Sequence, residues 1–418
     1  MKKSFDTEIL CVGTEILLGH IINTDARDIS ERLSRIGINV KYHTVVGDNP
    51  ERLRQCVEIA KGRADIIITT GGLGPTCDDL TKTVLAEAFG KKLVKNEAEE
   101  QDLYEYIRTG RRLTPNTFNQ ALLPEGCTVF HNFWGTAPGC AFEAEGKHVL
   151  MFPGPPKECV PMFETYAPSY LRELTDEVIV SHSLRIFGIG ESRVDDLFAD
   201  EMNRMTNPTM APYAKECDCL LQITAKAGSE AEAETMIAPV KAHVRERLGD
   251  FIYGEDIECL EEAVMALLQE RNLSFAAAES CTGGDIARRF TELPGASAFF
   301  KGGVVSYTNE VKTALLGVDP ALLEEKTAVC REVAAAMAEG VRQRLHTDMA
   351  VSVTGLAGPD GDGVHEVGTV FIGLAVEGKT WVREIHLGPF RTRSFIRRMA
   401  GNHAFDMMRR YLSGLDVE

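Results

Sequence analysis

The feature that most narrows the fold is an alternation of short strands rich in β-branched residues with amphipathic helices. From the front of the chain it reads as strand Glu8 to Gly13, helix Ala26 to Ile36, strand Val40 to Val46, helix Glu51 to Lys61 and strand Asp65 to Thr70. Strands joined through helices run parallel, and a parallel sheet hides both faces, so the chain up to about Phe163 predicts a parallel sheet covered by helices on both sides. The same order returns later, with strands at Ser274 to Ala278, Gly303 to Tyr307, Met349 to Thr354 and Gly368 to Leu374 separated by helical patterns. A helix at Cys259 to Arg271 leads into it. Between the two lies a small unit with strands Ser183 to Phe187 and Cys219 to Ala225 and helices Ser192 to Asn203 and Glu230 to Leu248. The mixed stretch Tyr166 to Ser181, with Pro168, marks the first boundary. The expected domains are therefore 1–170, 178–254 and 256–418.

Composition excludes several functions. A chain of 418 residues with 44% hydrophobic and 26% charged residues can bury two or three cores. Its net charge of -17 repels a polyphosphate backbone, and only short arginine pairs oppose it. The middle unit, Ser181 to Gly254, is itself acidic, with 8 Lys+Arg against 12 Asp+Glu. Nucleic acid is thus not an expected partner. Eleven cysteines are scattered without metal-site spacing, which fits reduced thiols in a cytoplasmic protein. The opening residues carry Asp6 and Glu8 where a secretion signal needs an apolar stretch, and no run reaches the roughly 18 apolar residues of a membrane helix.

Two segments carry chemistry. Strand-like Ser274 to Ala278 passes straight into Glu279, Ser280, Cys281, Thr282, Gly283 and Gly284, then into a helical pattern from Asp285 to Thr291. Such a turn sets a hydroxyl beside the N–H groups of a helix start, which can hold a developing oxyanion. A serine there needs a base. His365 is the one nearby loop histidine of this half, whereas Gly302 to Lys312 ends a strand in a polar cluster with Tyr307, Asn309 and Lys312, so a Ser–Lys arrangement is the economical expectation. Cys281 is the rival nucleophile, also at a helix start. A third turn, Val353 to Gly361, offers Thr354, Gly355 and Gly358 as a phosphate cradle. Against this, Ser280 could merely cap its helix and the glycines could be ordinary α/β connections.

In the front half, strand Asp65 to Thr70 enters Gly71, Gly72, Leu73, Gly74, Pro75 and Thr76, followed by Asp78 and Asp79. Acidic residues at a helix start complement its dipole. Beside an anion-binding turn they could also hold a divalent metal ion against a diphosphate, with Asp48 as a third oxygen ligand.

Residues Phe275 to Leu412, through Ala277 to Gly284, Gly302 to Lys312 and Val353 to Gly361, resemble the C-terminal domain of the CinA family of competence/damage-inducible proteins and nicotinamide mononucleotide deamidases. The resemblance implies hydrolysis of nicotinamide mononucleotide to nicotinic acid mononucleotide and ammonia without a cofactor. Ser280 would be the nucleophile, Lys312 its base, and Tyr307 a near neighbour. It places Thr354 and Gly355 in the nucleotide pocket. His365-Glu366 departs from the family's usual Lys-Pro, exchanging a cation for an acidic pair.

Thr7 to Phe163 resembles the molybdopterin-binding domain in its CinA version, through Val12 to Gly19, Asn23 to Ala26, the Thr70 to Thr81 run, Gly135 to Gly139 with Thr136, and Phe152 to Pro156 with Gly154. The implied architecture is a three-layer α/β domain with metal-dependent hydrolysis of ADP-ribose, Asp79 being the functional aspartate. Phe187 to Ser192 and Asn207 to Tyr213 resemble the family's KH-like α/β linker, read as structural and as joining subunits in a homodimer. The competing readings are a non-catalytic partner protein in competence or DNA damage and a molybdopterin-binding protein.

Overall fold

The computed structural model describes residues 5–76, 78–108, 115–172, 174 and 178–417. Contacts divide the chain into two compact units, residues 1–181 with 225–236 and residues 182–224 with 237–418.

The first unit is built on a six-stranded sheet. Its strands lie in the order Asn39–Val46, Asp6–Val12, Ile66–Thr70, Lys147–Phe152, Gly139–Ala144 and Thr128–Phe130. The first four are parallel, as the alternation predicts, but Gly139–Ala144 runs antiparallel to both its neighbours, so Thr128–Phe130 points the same way as the first four. That corrects the all-parallel expectation: Gly146, with φ +69°, turns Gly139–Ala144 directly into Lys147–Phe152 as a hairpin, and no crossover helix separates them. Side-chain alternation sorts the core into two layers. Leu10 and Val12 pack with Leu53, Val57 and Leu85 on one face, while Ile9 and Cys11 pack with Ile29, Leu33 and Phe163 on the other. Helix Pro156–Arg172 runs through Pro161 and Pro168 into the stretch Tyr166 to Ser181, and the division between the units falls at the end of that stretch, after Ser181.

A four-stranded sheet follows in the order Thr209–Ala214, Cys219–Ala227, Val178–Ile186 and Ile252–Glu255. Two of its strands, Thr209–Ala214 and Ile252–Glu255, are absent from the sequence reading; the first carries Pro212 and the second is four residues long, so neither shows a clean period of two.

The third sheet has the order Phe300–Val305, Phe275–Glu279, Met349–Gly355, Thr369–Val376 and Lys379–His386. Its first three strands are parallel, so their carboxyl ends share one edge, and the last two are antiparallel. At its centre Ala276 and Ala278 face Leu316, Met337 and Val341, while Ala277 faces Leu260, Phe290 and Ile396. Three consecutive alanines let helices approach this strand closely from both sides.

Candidate active site

Ser280 is the first residue beyond the buried strand Phe275–Glu279, and its N–H donates to the Val353 carbonyl oxygen at 2.9 Å. Continuing the neighbouring strand's ladder in this way holds the residue rigidly at the sheet edge. Glu279, just before it, is 1% exposed. Its carboxylate accepts from the backbone N–H groups of Gly284 (2.9 Å), Ile286 (3.1 Å) and Ala287 (3.0 Å). The helix Asp285–Thr291 is therefore capped internally by the strand that precedes it. Two expectations change. Those helix-start donors are engaged by Glu279 and do not face a ligand, and Glu279 itself serves the turn, not a substrate. The N–H of Thr282 has no partner among the described residues, although the residue is buried.

Gly283 (φ +60°) and Gly284 (φ +94°) make the reversal that folds the turn back over the strand end, a conformation costly to other residues. Within the turn, Ser280 and Cys281 part company. Cys281 packs into the core, and burial pushes its thiol up to about 12, so it is protonated at neutral pH. Thr282 is fully buried; its hydroxyl lacks a partner among the described residues, and its carbonyl accepts from Arg397 Nε at 3.1 Å.

Lys312 comes from helix Asn309–Leu316, which Asn309 opens at an exposed position. Although an ammonium normally seeks water, Lys312 is 1% exposed. Its Nζ donates to Ser280 Oγ at 3.0 Å and to the Ser306 carbonyl oxygen at 2.8 Å. No carboxylate pairs with it among the described residues, and desolvation lowers its pKa. This is the condition in which an amine can accept a proton from a serine.

Tyr307 stands at the open side, 58% exposed, and its hydroxyl accepts from Arg393 Nη2 at 2.9 Å. Arg393 also donates to the Gly358 carbonyl oxygen at 2.5 Å, so one guanidinium joins two of the predicted turns. Arg393 and Arg397 begin helix Arg393–Leu412 and were missed because nothing in an Arg-rich helix start says which strand end it will meet. They bring positive charge to the Gly358 and Thr282 turns, whereas His365 is held by Asp362, which accepts from its backbone N–H at 2.7 Å. Thr354 and Gly355 are placed differently from the expected pocket lining. Thr354 is 1% exposed and donates to the Ala328 carbonyl oxygen at 2.7 Å, and a Cβ on Gly355 would meet Thr369 O at 2.7 Å. Both serve packing against neighbouring chain.

In the front unit the glycine turn is tightly made. A Cβ on Gly71 would lie 2.1 Å from Val12 O, one on Gly72 2.1 Å from Thr81 Oγ1, and one on Gly154 3.2 Å from Gly71 Cα, so the Gly71 and Gly154 turns touch. Thr136 is half-buried beside Gly135, whose space is filled by the Glu158 carboxylate. The three carboxylates expected to hold a metal do not converge. Asp79 Oδ2 accepts from Thr76 N (2.8 Å) and Thr76 Oγ1 (2.6 Å) and stands 2.5 Å from where a Gly74 Cβ would be. Asp48 Oδ2 accepts from Thr14 N at 2.8 Å. A hydrogen bond involving Thr76 lowers the pKa of Asp78. Among the described residues these three form no cluster within reach of one ion. This donor set does not fit a metal as it stands.

A molybdopterin-like α/β domain, a KH-like unit and an α/β domain with a buried serine–lysine pair, in that order, define a class of three-part α/β protein. Family models agree: "Probable molybdopterin binding domain" over residues 8–173, "Damage-inducible protein CinA KH domain" over 181–254 and "CinA C-terminal domain" over 257–412. A CinA-like protein from Dictyoglomus turgidum is 48% identical over 98% of this chain and 99% of its own length. Another from Kosmotoga olearia is 46% identical over 97% and 98%. The chain belongs to the CinA family. A solved structure of the competence/damage inducible protein CihA from Agrobacterium tumefaciens is 35% identical, with a TM-score of 0.36, covering 37% of this chain and 93% of that one. Among the described residues no helix is long and apolar enough to cross a membrane.

Proposed function

We propose that the chain is an amidohydrolase acting on the carboxamide of nicotinamide mononucleotide, with Ser280 as nucleophile and Lys312 as general base. The observation that carries this reading is the 3.0 Å contact between Lys312 Nζ and Ser280 Oγ, made by a lysine whose pKa burial lowers. The neutral amine takes the Ser280 proton as Oγ attacks the amide carbon. Collapse of the tetrahedral adduct returns the proton from Lys312 to the leaving nitrogen, which departs as ammonia and leaves an ester on Ser280. Water, deprotonated by the same amine, then releases the carboxylate. Arg393 and Arg397 supply the charge that a mononucleotide phosphate needs.

The test is ammonia release from nicotinamide mononucleotide by the full chain. Release that disappears in Ser280→Ala supports the reading, and release unchanged in that variant overturns it. Hydrolysis of ADP-ribose by the front unit has no comparable arrangement behind it, and no step through a metal is derived there.

A further inference from the structure

We infer that the front unit binds a divalent transition-metal ion at Glu99, Asp102 and His131, away from the carboxylates where the sequence suggested one. Glu99 and Asp102 are three apart in helix Glu97–Arg108, which puts them on one face. His131 directly follows strand Thr128–Phe130. Its Nδ1 lies 3.2 Å from Glu99 Oε1, 3.3 Å from Glu99 Oε2 and 3.3 Å from Asp102 Oδ2. One ring N–H cannot serve three oxygens well, and these distances exceed the roughly 2.7–2.9 Å of a charge-assisted hydrogen bond. They match the spacing of donors around an ion: with metal–ligand bonds of about 2.1 Å, adjacent ligands stand about 3.0 to 3.4 Å apart.

Burial points the same way. Glu99 is 8% exposed, yet its two carboxylate oxygens share this single donor, and no lysine or arginine pairs with Glu99 or Asp102 among the described residues. A buried carboxylate so poorly matched is costly without a cation. Among the described residues the other cluster of this type, His182 with Glu255 and Asp256, differs in that Lys241 and Arg245 already neutralise Glu255. Two carboxylates and one imidazole suit nickel, cobalt, manganese or zinc better than magnesium or calcium, which prefer oxygen throughout.

The register places this site. Phe130 pairs with Gly139, Cys140 with Met151, and Phe152 with Thr70, so His131 leaves the sheet at the same edge as the Gly71 turn. It lies three strands away, about 14 Å. An ion there is held by protein ligands without a nucleotide.

Trp134 is the local reporter, since the Phe133 ring lies 4.6 Å from the His131 ring and 5.8 Å from the Trp134 ring. Full-length, chelator-treated protein carrying Trp381→Phe is titrated with nickel(II), and Trp134 fluorescence is followed. Saturable quenching at one equivalent is expected, weakened more than about tenfold in His131→Ala and Glu99→Gln. Asp102→Asn, at a half-exposed position that does not hold the fold together, should weaken it as well. Quenching that does not saturate, or that is the same in wild type and Asp102→Asn, overturns the site.

Discussion

The two glycine turns at Gly71 to Gly74 and Ser280 to Gly284 look alike in sequence, each following a buried strand and preceding a helix, yet their polar groups end up differently employed. In the rear turn the acidic residue precedes the turn, on the strand. Glu279 reaches forward to three helix N–H groups and leaves the Ser280 hydroxyl for Lys312. In the front turn Asp79 follows it and folds back on Thr76, so the loop satisfies itself, while Asp48, from an earlier strand end, closes on Thr14. Position relative to the turn decides whether a carboxylate frees a neighbour for chemistry or is absorbed into local structure.

The comparison breaks most sharply at Ser280 and Cys281. Ser280→Ala should lower deamidation by about 10⁴-fold, whereas Cys281→Ala should leave it nearly intact, because that thiol is buried and protonated. Equal losses in steady-state ammonia assays would mean that the turn, and not the hydroxyl, matters. Lys312→Met should cost about 10²- to 10⁴-fold. Burial lowers the pKa of Lys312, so its base form grows as pH rises through that depressed value. The wild-type rate should climb with pH and level off; a profile falling over that range would rule out Lys312 as the base.

At the front turn the expected effects are structural and smaller. Asp79→Asn weakens two loop hydrogen bonds and should cost about 1–2 kcal/mol in thermal unfolding, with deamidation unaffected. If that variant keeps full stability and instead abolishes metal-dependent AMP release from ADP-ribose, the front turn is a second active centre.

A last contrast lies in the units' response to pH. Asp25, 7% exposed with Oδ1 unpartnered among the described residues, has its pKa raised by burial from 3.8 to about 7. The folded chain thus holds a proton that the unfolded chain gives up, and this contribution falls as pH rises from about 4 to about 7. His403 shows the opposite, lowered by burial from 6.5 to about 4, so its contribution is lost as pH falls across that window. The chain has two tryptophans, so Trp134→Phe and Trp381→Phe variants each leave one reporter per unit for denaturant unfolding. Parallel trends in both units would show that other groups dominate.

Much of the architecture was legible because period-two and period-3.6 patterns depend on local burial. Helix Glu230–Leu248 matches its reading, and strands Ile66–Thr70 and Met349–Gly355 match to within a residue. Strand Lys379–His386 was not legible, since its burial alternates only partly and it forms an antiparallel edge. Helix Pro156–Arg172 was not legible, and its end lies in the stretch taken as a boundary, because Pro168 looks like a breaker. At the sites, Ser280 and Lys312 were readable as residue types able to do the chemistry, while Arg393 and Arg397 were not.

The sequence by itself determined the strand, turn and helix units and the choice of hydroxyl, amine and carboxylate within them, because these follow from backbone propensity and side-chain chemistry over a few residues. Only the tertiary structure decided that Lys312 would be desolvated against Ser280, that Cys281 would turn into the core, that Glu279 would cap its own helix, and that Asp48, Asp78 and Asp79 would not meet. Those outcomes depend on which strand ends share an edge and on what is excluded from water there, and both are set by contacts between residues distant in the chain.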